Sequence, residues 1–226
     1  PLHFQAASDR VFVGTGDGRF VGNVLGTELP SPGLGLLVTD IDGDGSNEIF
    51  VANDLQPNQL WLQVNQSSSE PVDFVNAAVA RGVAHGPAGE NLACMGIAAA
   101  DFDENGLLDL QLTNYADQWA NQYMQNEDHM SDELSLAFGF DTSTLAMLGF
   151  GTEALDFDNS GTLDLVTGNG HIEDFTHEGK VFEMPTQLFV GDRRSLVETD
   201  VSGDPSYWKA SHLTRGLVTL DWNRDG

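Results

Sequence analysis

The sequence predicts an all-β chain built of four-stranded antiparallel units of the β-propeller blade kind, and three observations predict it. An acidic loop of one pattern recurs along the chain. It recurs at intervals the size of one small supersecondary unit. Short apolar runs keep the same register around every copy.

The loop first appears as Asp40-Ile41-Asp42-Gly43-Asp44-Gly45-Ser46-Asn47-Glu48. It returns as Asp101-Phe102-Asp103-Glu104-Asn105-Gly106-Leu107-Leu108-Asp109 and as Asp156-Phe157-Asp158-Asn159-Ser160-Gly161-Thr162-Leu163-Asp164, and begins again at Asp221-Trp222-Asn223-Arg224-Asp225-Gly226. The first acids stand 61, 55 and 65 residues apart, and Asn53, Asn114 and Asn169 each follow their loop's first acid by 13 residues. Shared offsets outside the loop mean that the repeats share a backbone as well as a motif.

Around each loop the chain reads as strands. Apolar runs lead in at Gly35 to Thr39, Gly96 to Ala100, Gly151 to Leu155 and Gly216 to Leu220, and lead out at Ile49 to Ala52, Leu110 to Thr113 and Leu165 to Thr167. All are too short for helices and rich in β-formers or small residues. Two such runs joined by a loop make a hairpin. Third strands are predicted at Asn58 to Leu62, Asn121 to Gln125 and Thr186 to Val190, and fourth strands at Asp73 to Asn76, near Phe138 to Asp141, and at Ser195 to Glu198. Four antiparallel strands per repeat is a propeller blade. The predicted organisation is one domain over 1–226: the end of a preceding blade at 1–28, blades at 34–77, 95–143 and 149–200, and the start of the next at 215–226.

Crowding carboxylates into nine residues is unfavourable unless a cation is shared between them. Ca²⁺ takes about six to eight oxygen ligands, and acids alternating with spacers around a sharp glycine turn supply them from one short segment. An EF-hand would need a bidentate Glu at loop position 12, where this chain has Val51, Leu112 and Thr167. A nine-residue β-helix repeat has far too short a period. The candidate ligands are the side chains at positions 1, 3, 5 and 9 with the backbone carbonyl at position 7. These are Asp40, Asp42, Asp44, Ser46 and Glu48; Asp101, Asp103, Asn105, Leu107 and Asp109; Asp156, Asp158, Ser160, Thr162 and Asp164; and Asp221, Asn223 and Asp225 of the fourth loop. With four acids against three, the first loop is expected to bind Ca²⁺ most tightly.

The DxDxDGxxD pattern in a repeat of this length resembles the FG-GAP or VCBS repeat, the kind of blade in the integrin α-subunit propeller. Met95 to Asp103, Leu148 to Asp158, Asn169-Gly170-His171 and Gly16 to Phe20 are similar to the bacterial ASPIC/UnbV, cartilage acidic protein 1-like family. The resemblance implies a seven-bladed propeller, usually secreted, with Ca²⁺ in the hairpin loops and roles in adhesion or ligand binding. Asn105, Ser160 and Glu48 depart from the usual aspartate at their positions. The fourth loop stops at Gly226 before its positions 7 and 9, so the sequence reads as a fragment of that propeller. Its open blade edges offer a route to a homo-oligomer.

A hydrophobic content of 40% is too high for disorder. A net charge of −26 argues against nucleic-acid binding and docking on anionic lipid. Three Ca²⁺ ions would offset about six of those charges and leave an acidic surface suited to a salty medium such as seawater. Cys94 is the single cysteine, which excludes a disulfide framework and reads as a small buried hydrophobe. Abundant extracellular calcium places the chain outside the cell or in the periplasm, without direct membrane insertion.

No nucleophile elbow, Walker loop or spare carboxylate pair is present. The leading reading is a calcium-stabilised module that binds a protein or glycan, and its rival is an extracellular enzyme such as a calcium-dependent polysaccharide lyase. The excursion Gly170 to Lys180 gathers His171 and His177, six residues apart, a spacing that matches no zinc motif. It reads as a polar loop in which His171 hydrogen-bonds locally. The Ala116 to Asn121 stretch suggests a helical turn. Met124, Met130 and Met147 read as packing, Trp61 and Trp222 as blade-packing aromatics, and Trp119 and Trp208 as surface contacts.

Overall fold

A computed structural model describes residues 5–26, 30–64, 73–140, 142–201 and 207–223. Strands β1 (Arg10–Gly14) and β2 (Phe20–Val24) form an antiparallel pair. Strands β3 (Gly33–Thr39), β4 (Glu48–Asn53), β5 (Gln59–Gln63) and β6 (Phe74–Asn76) follow as a four-stranded meander. A second meander consists of β7 (Cys94–Ala100), β8 (Asp109–Asn114), β9 (Asn121–Gln125) and β10 (Ser131–Glu133). After a short helix, α1 (Thr142–Leu145), come β11 (Gly149–Leu155), β12 (Asp164–Asn169), β13 (Met184–Pro185), β14 (Gln187–Gly191), β15 (Leu196–Glu198) and β16 (Ser211–His212). The third sheet takes the order β11-β12-β14-β15, while β13 pairs with β16. Among the described residues no sheet closes into a ring or barrel. Among the described residues no helix is long and apolar enough to cross a membrane.

The three four-stranded sheets pack face to face through two apolar seams. Ile41, Phe50, Leu60, Leu110, Leu112 and Tyr123 fill the seam between the first and second. Phe102, Met124, Phe138, Phe140, Leu165 and Phe189 fill the next. This explains the apolar residue between the first two aspartates of the first and second loops: Ile41 and Phe102 are core residues that plug the seam beside their own hairpin, whereas Phe157 of the third loop is exposed. Cys94 lies in the first seam, and burial pushes its thiol up to about 12.

At the centre, β7 packs against both β3 and β11, and glycine permits it. A Cβ on Gly35 would stand 2.2 Å from the Met95 carbonyl oxygen, one on Gly96 1.8 Å from that of Phe150, and one on Gly151 2.4 Å from the Leu217 nitrogen. The in-register asparagines close the far end of each hairpin. Asn53 Nδ2 donates to the Pro57 carbonyl (2.7 Å), Asn114 Nδ2 to Asn121 Oδ1 (2.8 Å) and Asn169 Nδ2 to the Pro185 carbonyl (2.9 Å).

Several expectations are corrected. The second sheet's outer strand is Ser131–Glu133, not a segment near Phe138. Phe138 and Phe140 instead drop into the seam, where Phe138 accepts a hydrogen bond from the Leu196 amide and Gly139 lies against the Leu196 carbonyl. Gly216 to Leu220 carries no strand assignment. Ala116 to Asn121 holds one hydrogen-bonded turn, Gln118 to Tyr115, while the helix is α1. Trp61 is core, as expected, but Trp222 is 88% exposed. Met124 is buried, whereas Met130 stands exposed at a turn.

Candidate metal centre

The three complete loops share one backbone. Positions 4 and 6 are left-handed in each: Gly43 (φ 72°) and Gly45 (φ 90°), Glu104 (59°) and Gly106 (88°), Asn159 (58°) and Gly161 (87°). Glycine relieves the steric cost of this conformation at position 6. Amides of the turn then point inward. Gly45 donates to Asp40 Oδ2 (3.0 Å), Gly106 to Asp101 Oδ2 (2.8 Å) and Gly161 to Asp156 Oδ2 (2.9 Å).

Position 9 does different work. Glu48, Asp109 and Asp164 open β4, β8 and β12 and are buried. Each accepts the amide of position 2, from Ile41 (2.7 Å), Phe102 (3.0 Å) and Phe157 (2.8 Å). Asp109 and Asp164 also accept amides from the third strand, Gln125 (2.8 Å) and Gly191 (2.9 Å). One carboxylate therefore ties loop, second strand and third strand together. Burial pushes Asp109 up to about 7, and the charges of Asp103 and Asp101 push in the same direction. Burial likewise raises Glu48.

These placements bring positions 1, 3 and 9 together. Asp40, Asp42 and Glu48 form one group, Asp101, Asp103 and Asp109 a second, and Asp156, Asp158 and Asp164 a third, each with carboxylate oxygens within 4.8 Å of one another. Position 5 is not part of the acidic groups: Asp44, Asn105 and Ser160 each accept the amide of position 7, from Ser46 (2.7 Å), Leu107 (2.7 Å) and Thr162 (3.3 Å). Asp221 and Asn223 of the fourth loop are exposed, and Asp225 lies outside the described residues.

The first loop differs from the others in two ways that the sequence did not reveal. Asp42 pairs with Arg81, 3.1 Å away, whose guanidinium also donates to the His129 carbonyl (2.8 Å). Asp40 Oδ1 and Asp42 Oδ1 are buried without a hydrogen-bond partner. Asp44 lies outside the group and Arg81 beside it, so this group, like the other two, holds three acids. The two orphaned oxygens fit a cation, because buried carboxylate oxygens are costly unless something positive or hydrogen-bonding meets them. The donors are all oxygens, which suits a hard cation such as Ca²⁺ and not a thiolate- or imidazole-bound metal.

His171 and His177 do not converge. His171 is buried, with Nδ1 2.9 Å from the Glu173 carbonyl oxygen, and His177 is exposed beside Glu178.

A model of the FG-GAP-like repeat matches residues 40–111, from the first acidic loop through the second. The chain is also similar to cartilage acidic protein 1 of Xenopus tropicalis, with 28% identity over 170 residues, covering 71% of this chain and 25% of that protein. The chain thus spans about a quarter of the length of the curated relative it matches. Both matches support an ASPIC/UnbV-type FG-GAP/VCBS assignment.

Proposed function

We propose, with the ASPIC/UnbV-type FG-GAP/VCBS assignment as premise, that this chain is part of a seven-bladed, secreted propeller that binds protein or glycan, with Ca²⁺ in its hairpin loops holding the blades in shape. The observation that carries the reading is the threefold recurrence of one acidic group, in which a buried position-9 carboxylate at the start of a strand joins two carboxylates of the loop before it. An ion shared by Asp40, Asp42 and Glu48, and by the matching triads, would screen repulsion between them and fix the hairpin to its neighbouring strand. It would act structurally. Extracellular calcium would keep such sites loaded, and open blade edges would let copies associate.

Arg81 makes the first loop a test of this electrostatics. Arg81→Gln removes a positive charge beside Asp42, and calcium titration is expected to show about fivefold tighter binding at that loop, equivalent to about 1 kcal/mol of relieved repulsion. Weaker binding would show that the guanidinium shapes the site instead of opposing the ion.

Among the described residues the groups of three or more acids are the triads themselves, which favours binding over hydrolytic or eliminative chemistry. Incubated with a panel of acidic polysaccharides in excess Ca²⁺, the protein is expected to retain glycan without releasing unsaturated products. Release of such products would establish the lyase reading in its place.

A further inference from the structure

At the end of the sheets opposite the acidic loops, the segments entering first strands and leaving second strands enclose a cavity of about 280 Å³. Leu55, Met95 and Ile172 give it apolar walls, and Tyr115, His171 and Phe175 make an aromatic side. The rings meet edge to face, with His171 5.7 Å from Tyr115 and 5.5 Å from Phe175 between centroids. The imidazole is held at both nitrogens, Nδ1 2.9 Å from the Glu173 carbonyl oxygen and Nε2 3.3 Å from the Tyr115 hydroxyl oxygen. Arg215 pins the loop from behind, donating to the carbonyls of Gly170 (3.2 Å) and His171 (2.8 Å).

Asp54 is the residue this arrangement leaves without a role. It lines the cavity, is only 8% exposed, and its carboxylate has no hydrogen-bond or ion-pair partner among the described residues. Burial raises its pKa, as expected of a carboxylate held in such a place. The next residue, Leu55, is held at φ 57°, a conformation that costs a non-glycine residue energy and that clusters at ligand sites.

We propose that this cavity binds a small organic ammonium ion with an apolar body, its charge met by the Asp54 carboxylate and the aromatic walls of Tyr115 and Phe175. No lysine or arginine lines the cavity among the described residues, so an anion would find no countercharge. A sugar would need many hydrogen-bonding partners, where this cavity offers mostly carbon. A divalent metal is disfavoured because the acids here do not gather as those of the loops do. An ammonium ion with a hydrocarbon body uses what is present: one buried carboxylate, π faces that attract cations, and apolar walls that gain by excluding water. Phe175 already faces one such charge, with the Lys180 ammonium 5.4 Å from its ring centre. The volume lies near the lower end for small-molecule sites, which limits the ligand to a compact body.

The inference does not depend on calcium, and its test is run with the hairpin loops saturated. Cyclohexylmethylamine, the isosteric cyclohexylmethanol and glucose are each titrated calorimetrically into the protein in excess Ca²⁺ and about 0.15 M salt, which screens the acidic exterior. The amine is expected to saturate one site and the alcohol to bind ~10-fold more weakly or worse, the factor that a hydrogen bond to a charged group commands. Asp54→Asn is expected to abolish that preference. Equal binding of amine and alcohol, saturation by glucose alone, no saturation by the amine, or an unchanged preference in a folded Asp54→Asn variant would each overturn the proposal. The amine and alcohol are compared on the unaltered chain, so that comparison decides the matter even if the variant does not fold.

Discussion

Gly96→Ala is expected to cost about 3 kcal/mol or more and to leave the chain largely unfolded at temperatures where the parent is native. The added methyl would stand 1.8 Å from the Phe150 carbonyl oxygen and 2.9 Å from the Thr113 hydroxyl oxygen, which itself donates to that carbonyl. A flexible side chain could move aside. Backbone in the next sheet's first strand cannot, because β11 is held on its other edge by β12. Relief would require the second and third sheets to separate, which opens the seam filled by Phe102, Phe140 and Phe189. Gly216, in the same register, is the internal control: a Cβ there meets nothing within 4 Å, so Gly216→Ala should change stability by no more than about 0.5 kcal/mol. Thermal unfolding followed by circular dichroism checks both. A Gly96→Ala protein melting with its parent would mean that the sheets are not packed through this strand.

Why so much of the architecture was legible follows from where its information lies. The hairpins announce themselves because each acidic turn is flanked by apolar runs of strand length, and β9 falls on Asn121–Gln125 as predicted. The outer strand Ser131–Glu133 did not, because an edge strand with exposed positions needs no apolar pattern, while the nearby Phe138 and Phe140 carry a strand-like signal for a segment that is a core plug. Gly216 to Leu220 reads as a strand by composition, but a ladder partner is a tertiary fact. At the loops the spacing of the acids was legible, and positions 1, 3 and 9 of each copy come together, whereas the cap that Asp44 forms on the Ser46 amide depends on side-chain direction, which the sequence does not encode locally. The contacts of Arg81 with Asp42 and of Asp54 with the cavity join residues far apart in the chain. A faint signal was available for the second: Asp54 and Tyr115 each follow the repeated asparagine by one residue, and a conserved offset with unlike side chains marks loops free to carry different chemistry.

The second large effect is calcium removal. In each triad the carboxylate oxygens lie within 4.8 Å of one another, and every uncompensated pair of charges at such range costs on the order of 1 kcal/mol or more near a surface. Burial compounds this at Asp109, pushed up to about 7, and at Asp40 and Asp42, whose Oδ1 atoms have no partner. A cation bound only by the native state stabilises it by mass action, about 2.7 kcal/mol per site at a hundredfold excess over the dissociation constant. Over three sites that is comparable with the whole stability of a domain, about 5–15 kcal/mol. Mg²⁺ should rescue poorly, because it demands near-octahedral geometry and gives up water reluctantly. The decisive measurement is the melting temperature of the unaltered chain in excess Ca²⁺ and in excess chelator. A fall of about 10 °C or more on chelation is expected, reversed by Ca²⁺ and not by equimolar Mg²⁺, whereas superimposable melting curves would show that the three acidic loops are turns with no structural ion.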